Sequence, residues 1–193
     1  MTRHDIIVRR PATYQDVIDA PEGMIAELVD GALHLQPRPR LRHNYAAGAL
    51  FGDLRSPFER GHGGPGGWLF LLEPELHLDG DVLVPDVCGW RRERMPSLPD
   101  THAATLAPDW VCEVLSPGTK RFDYKIKRQR YAEAGVAHLW LLDPMEDTLE
   151  AFALDGETWS LVATLGAGDT IALPPFETIS IAMDDLLPAR PED

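Results

Sequence analysis

Two acidic residues stand where acids are expensive. Asp86 lies inside the run VLVPDVCGW and Glu113 inside DWVCEVLSP, each surrounded by β-branched, aromatic and aliphatic residues. Such runs read as buried strands. A carboxylate buried there is normally paired, hydrogen-bonded or bound to a metal. Two carboxylates on successive strands offer hard oxygen ligands of the kind Mg²⁺ takes, with positions left for water and phosphate. An ion so held polarises a phosphorus centre and lowers the pKa of bound water. A nearby ammonium group would stabilise the pentacovalent centre, or orient or deprotonate the attacking water. Ammonium groups follow at once: all three lysines of the chain, Lys120, Lys125 and Lys127, fall within eight residues, beside Arg121, Arg128 and Arg130. A third acid, Glu27, shares its strand face with Ile25 and Val29, so it sits either at a polar sheet edge or in a site.

The elements that must position these groups are legible from turn and cap signals. Thr13-Tyr14-Gln15-Asp16 opens a short helix to about Ala20, ended by Pro21-Glu22-Gly23. Asp30-Gly31 between apolar runs predicts a hairpin that carries Glu27 in its first arm. Pro37-Arg38-Pro39-Arg40 is a stiff basic connector, and residues 41–60 read as a helix whose Gly48 and Gly52 suit close packing. His43, near its start, reads as a capping or hydrogen-bonding residue rather than a ligand. The loop GHGGPGG lacks the Gly-Lys-Ser/Thr ending of a phosphate loop. WLFLLEPELHLDGD is a strand broken at Pro74 that turns at Asp79-Gly80 into the Asp86 strand, and residues 91–108 are a Pro-punctuated connection. A helix from about Phe122 to Ala134, stopped by Gly135, separates the Glu113 strand from AHLWLLDP, which predicts a parallel pair joined by a right-handed crossover. A second Asp-Gly hairpin (residues 148–165) and short strand-like pieces close the chain. The expected fold class is α/β: a central mixed sheet flanked by helices, with an N-terminal hairpin and a C-terminal β-rich extension, in one domain over residues 1–193.

Composition sets the outer limits. Hydrophobic content of 44% and charged content of 25% are ordinary for a globular chain of 193 residues. No stretch has the length of a membrane span, and MTRHDIIVRRP lacks the apolar core of a signal peptide, so no membrane partner is expected. Strand alternation puts Cys88 on the face of Asp86 and turns Cys112 away from Glu113, which argues against a disulfide and for a reducing cytoplasm. The net charge of −13 is uneven: residues 1–130 carry −1 and residues 131–193 carry −12. Local potential, not net charge, decides how a polyanion is held. On charge alone the basic run is a solvated helix face. Next to a metal site, Lys120, Arg121 and Lys125 become the candidate contacts to a phosphate backbone.

Pro85-Asp86 followed by Glu113 on the next strand resembles the PD-(D/E)XK nuclease superfamily. More narrowly, the chain is similar to the Uma-two endonuclease family, a restriction-endonuclease-like group. The matching pieces are Glu27-Leu28-Val29-Asp30-Gly31, Arg42-His43, Val84-Pro85-Asp86-Val87, Glu113-Val114-Leu115-Ser116-Pro117, the series Asp123, Lys127, Tyr131, and Leu139-Trp140-Leu141-Leu142-Asp143-Pro144. The resemblance implies an endonuclease with a restriction-endonuclease-like core that hydrolyses phosphodiester bonds with Mg²⁺ or Mn²⁺. Its partner would be nucleic acid, with DNA the expected substrate and a homodimer left open. It implies Asp86 and Glu113 as metal ligands, Glu27 as an additional acid, and a catalytic lysine. The superfamily's lysine usually stands two residues after the Glu, where this chain has Leu115; Lys127 on the following helix matches the family's displaced position, with Lys125 a competing candidate. The reading from another class is a non-catalytic nuclease-fold module that binds nucleic acid or a protein.

Overall fold

The structure, a computed structural model, describes residues 11–189, so MTRHDIIVRR and Arg190 lie outside the described residues. Thr13 caps α1 (Tyr14–Ile18) through a capping box in which Asp16 accepts the Thr13 backbone N–H at 2.8 Å and its hydroxyl at 3.0 Å. Asp30 and Gly31 take φ of 51° and 67°, as a two-residue primed turn requires, and join β1 (Met24–Val29) to β2 (Ala32–Pro37). The register places Glu27 opposite His34. Helix α2 (Leu41–Leu54) runs on into a π-helical turn, Arg55–Glu59.

Next come β3 (Trp68–Leu72), β4 (Glu75–Leu78), β5 (Asp81–Leu83), β6 (Val87–Arg91), the short β7 (Ala103–Ala104) and β8 (Trp110–Val114). The helix after β8 has three parts: α3 (Lys120–Phe122), a π-helical stretch Asp123–Lys127, and α4 (Arg128–Glu133). β9 (His138–Asp143) and the hairpin β10 (Thr148–Asp155) and β11 (Thr158–Leu165) follow, then β12 (Thr170–Ile171), β13 (Ile181–Ala182) and a 3₁₀ turn at Met183–Leu186.

A mixed six-stranded sheet in the order β11-β10-β9-β8-β6-β3 is the centre of the molecule. β8 and β9 are parallel, as the intervening helix implies, and the other pairs are antiparallel. Alternation along β8 sends Trp110, Cys112 and Val114 into the core under α2, with Trp68, Phe70, Trp140 and Phe176. Val111 and Leu115 enter the opposite core with Cys88, Tyr131, Leu139 and Leu141. The two cysteines are therefore in different cores, and both are free. β6 crosses β3 so closely that a Cβ at Gly89 would lie 2.8 Å from the Phe70 ring.

The N-terminal hairpin is more than an appendage: it belongs to a second sheet in the order β2-β1-β5-β4-β7. The C-terminal hairpin likewise extends the central sheet through β9–β10 pairing. The sequence suggests one strand over residues 82–90; the structure breaks it at Val84–Asp86, with β5 in the second sheet and β6 in the central one. Pro85 has no N–H to give to a ladder, which favours the break. The close packing expected of Gly48 and Gly52 is not found: both are exposed, and a Cβ at either would meet nothing within 4 Å. Among the described residues no helix is long and apolar enough to cross a membrane.

Candidate active site

The break at Val84–Asp86 creates a seam between the two sheets, and the acids gather there. Glu27, Asp86, Glu113, Asp123 and Lys127 line one recess of about 40 Å³, together with His43. That volume admits an ion with a water or two, not a nucleotide. The groups arrive on five elements: Glu27 on β1, His43 on α2, Asp86 just before β6, Glu113 on β8, and Asp123 and Lys127 together on the π-helical stretch.

Asp86 is held at two points. Its Oδ2 accepts the Val114 backbone N–H at 2.7 Å, which fixes it across β8 beside Glu113, and its Oδ1 lies 3.2 Å from His43 Nε2. Glu113 is 2% exposed, and its Oε1 accepts the Tyr131 hydroxyl at 2.5 Å and lies 2.8 Å from the Lys127 ammonium. The same ammonium lies 2.9 Å from Glu27 Oε1 and donates to the Val84 carbonyl at 2.9 Å. Glu27 also accepts the Val84 N–H at 2.8 Å and the Gln36 side-chain amide at 3.0 Å. Lys127 thus bridges two buried carboxylates from the helix, and its four-carbon stem is buried along the way. The π-helical stretch that carries it shifts the helix register at this site, a deviation common at functional positions.

Charge is unbalanced in the recess. Four carboxylates face one lysine and one histidine. Burial pushes the Glu113 carboxyl well above the usual range, against the pull of Lys127 and with the help of Asp123, Asp86 and Glu27. Burial likewise lifts Asp123 to about 7, opposed by Lys127 and by a hydrogen bond with Thr119. For Lys127, burial works against the charge, but Glu113, Glu27, Asp123 and Asp86 outweigh it and hold the ammonium above its ordinary pKa. Burial also disfavours charge on His43, yet its bond to Asp86 wins and raises it.

The donor set can be tested for an ion directly. Among the described residues, no group of three or more His, Cys, Asp and Glu side chains forms a ready metal cage. Mg²⁺ does not need one: one or two carboxylates plus waters and a substrate phosphate are its usual complement. Asp86 and Glu113, both facing the same small recess with an excess of negative charge, fit that mode.

The structure brings together Glu27, Asp86, Glu113 and Lys127, and leaves the candidate phosphate contacts outside. Arg121 and Lys125 are exposed, and Lys120 is ion-paired with Asp143 at 2.7 Å. Leu115, at the usual position of the superfamily lysine, is in the core. Sequence reasoning passed over Gln36; it took His43 as a hydrogen-bonding residue, which its contact with Asp86 matches, and named Tyr131 only within the Asp123–Lys127–Tyr131 series, without its bond to Glu113. A usable signal existed for Gln36, since a two-residue turn at Asp30-Gly31 places it opposite Ile25, on the face of Glu27. Tyr131 stands one turn after Lys127, and His43 stands near the start of α2, but nothing local names Glu113 or Asp86 as their partners.

A family model described as "Uma2: Putative restriction endonuclease" matches residues 11–184. Among solved structures, the chain is similar to one described as a putative nuclease belonging to DUF820 from Anabaena variabilis ATCC 29413, with 20% identity and a TM-score of 0.74, covering 91% of this chain and 97% of that one. That similarity shows the fold. No curated protein matches.

Proposed function

The chain belongs to the Uma2 family, described as putative restriction endonucleases, and from that premise we propose that it is a divalent-metal-dependent endonuclease acting on nucleic acid, with DNA the expected substrate. One observation carries the reading. Three acids and a lysine from four separate elements meet in one recess sized for an ion. Burying that much charge is costly and adds nothing to packing.

Asp86 and Glu113 would hold Mg²⁺ or Mn²⁺, which when bound polarises the phosphoryl group and lowers the pKa of water. The chain's own groups do the rest. The Val114 N–H and His43 orient the Asp86 carboxylate. Tyr131 and Lys127 hold Glu113, and Gln36 holds Glu27, so the acids are fixed before substrate arrives. The Lys127 ammonium would supply positive charge to meet the charge developing on the pentacovalent phosphorus. Glu27, on the far side of that ammonium, fixes its position.

A second reading, a nuclease-fold module that binds without cutting, draws on the contacts of Lys127 with both Glu27 and Glu113, which partly neutralise the acids internally. Cleavage of labelled DNA and RNA in EDTA, Mg²⁺ and Mn²⁺ separates the two. The nuclease reading expects metal-dependent scission by the wild type, and expects Asp86→Ala to lose both scission and metal binding by calorimetry. Nucleic-acid binding with no scission under any metal would favour the module.

A further inference from the structure

Beside the acid recess lies a larger groove that the reaction chemistry does not use. Its volume is about 350 Å³, and it opens between the start of β1, the Pro37–Arg40 connector, the first half of α2 and the β3–β4 connection. Ile25, Pro39 and Asp86 line both spaces, so the groove is continuous with the recess. Met24, Ile25, Pro39, Ala47 and Leu72 form its apolar side, and four polar side chains line it with them: Arg38, Asn44, Glu73 and Asp86. An apolar slot with a few convergent polar groups is the usual form of a small-molecule site, and this one is near the lower end of the usual size.

Gly48 stands at the edge of this space. It lies inside α2 and borders the groove. Glycine in a helix interior is destabilising relative to alanine. No close packing requires it here, because a Cβ would meet nothing within 4 Å. Gly48 lines the groove, so a large side chain at this position is within reach of it. Glu73 is a second irregularity: a non-glycine residue with φ of 46°, held by its N–H bond to the Asp86 carbonyl at 3.1 Å.

We infer that this groove seats one unpaired nucleotide of the substrate next to the scissile phosphate, so that the protein takes single-stranded or locally opened nucleic acid in preference to intact duplex. The inference rests on the nuclease reading of the adjoining recess. Met24, Ile25, Pro39 and Leu72 receive the base, whose ring is favoured by burial against apolar side chains whatever its identity. Arg38 and Asn44 can donate to acceptors on the base or phosphate, and Glu73 and Asn44 can accept from an exocyclic amine. Arg38 and the neighbouring Arg40 are exposed and make no ion pair among the described residues, so their charge is available to the phosphates on either side. A base in a duplex must leave its stack and its partner to enter such a slot; a base in a single strand need not.

The test is binding of a fluorescein-labelled single-stranded DNA oligonucleotide and the matching duplex, in EDTA, by wild type, Gly48→Leu and Gly52→Leu, with thermal melts to verify folding. Gly52 lies on the same helix with equally open space around it but does not line the groove. Wild type should bind the single strand more tightly than the duplex. Gly48→Leu should weaken single-strand binding roughly tenfold, the order expected for losing one apolar burial, with duplex binding changed less than about twofold, while Gly52→Leu changes neither. If Gly48→Leu does not fold, Arg38→Gln serves instead: on the exposed connector, it should weaken single-strand binding and lower the salt slope by about 0.7. Unchanged single-strand affinity in the folded Gly48→Leu, or in Arg38→Gln where it substitutes, overturns the inference. So does equal loss with both ligands, or a wild type that binds no single strand. The readout does not depend on scission, so a wild type that binds as expected but never cuts would overturn the nuclease reading and leave the subsite standing.

Discussion

Replacing Lys127 with methionine isolates the central electrostatic claim. Methionine keeps most of the stem's volume and removes the charge. In the folded protein the ammonium is 2.9 Å from Glu27, 2.8 Å from Glu113 and 2.9 Å from the Val84 carbonyl, and the side chain is 3% exposed. Breaking a buried ion pair from one side costs about 3–5 kcal/mol, because the remaining carboxylates lose their only positive partner, keeping just neutral hydrogen bonds from Tyr131, Val84 and Gln36. Against a total stability of roughly 5–15 kcal/mol this is a large fraction. At about 2–4 °C per kcal/mol for a chain of this size, the melting temperature in EDTA at pH 8 should fall by roughly 6–20 °C. The loss should be partly reversible by ions. A divalent cation that binds the native recess at one hundred times its Kd restores about 2.7 kcal/mol, so Mg²⁺ should raise the variant's melting temperature and Na⁺ at equal ionic strength should not. Circular dichroism melts in EDTA, NaCl and MgCl₂ make the measurement. A variant that melts with the wild type in EDTA, or that Mg²⁺ does not stabilise, would refute the picture of a lysine holding together a surplus of buried acid.

Further outcomes follow from the same geometry. Asp123 titrates near 7 when folded, above its ordinary 3.8. The folded state therefore holds a proton that the unfolded chain releases between those values, and stability contributed by this group is lost as pH rises from about 4 to 7. Asp123→Asn, neutral throughout, should match wild-type stability near pH 4 and exceed it at pH 8 in urea unfolding; the reverse order would sink the assignment. Replacing Lys120, Arg121 and Lys125 together with glutamine should weaken nucleic-acid binding and flatten its salt dependence, with Arg121 and Lys125 contributing more than the ion-paired Lys120. An unchanged salt slope would leave that run a solvated face. Gly89→Ala places a Cβ 2.8 Å from the Phe70 ring and should cost about 1–3 kcal/mol by overpacking, read as a lower urea midpoint with an unchanged m-value.

Much of the chain was legible without coordinates because its signals are local. The Asp30-Gly31 turn sets the β1–β2 register by its own backbone angles, the Thr13–Asp16 box is complete within four residues, and the helix between the Glu113 strand and β9 dictates a parallel pair. Alternation along β8 likewise assigns Cys112 and Glu113 to opposite faces. The acids at 27, 86 and 113 stood out because a charge inside an apolar run has no local explanation. What the sequence withheld depends on contacts between distant residues. Nothing near Pro85 says that the strands on its two sides belong to different sheets, yet that division forms the seam in which Asp86 meets Glu27. The partnership of His43 with Asp86 spans 43 positions and appears only once α2 lies over the sheet. Gly48 reads as a packing residue by type; the open space around it shows the opposite, because steric fit is set by neighbours that the fold brings near, not by the residues beside it in the chain.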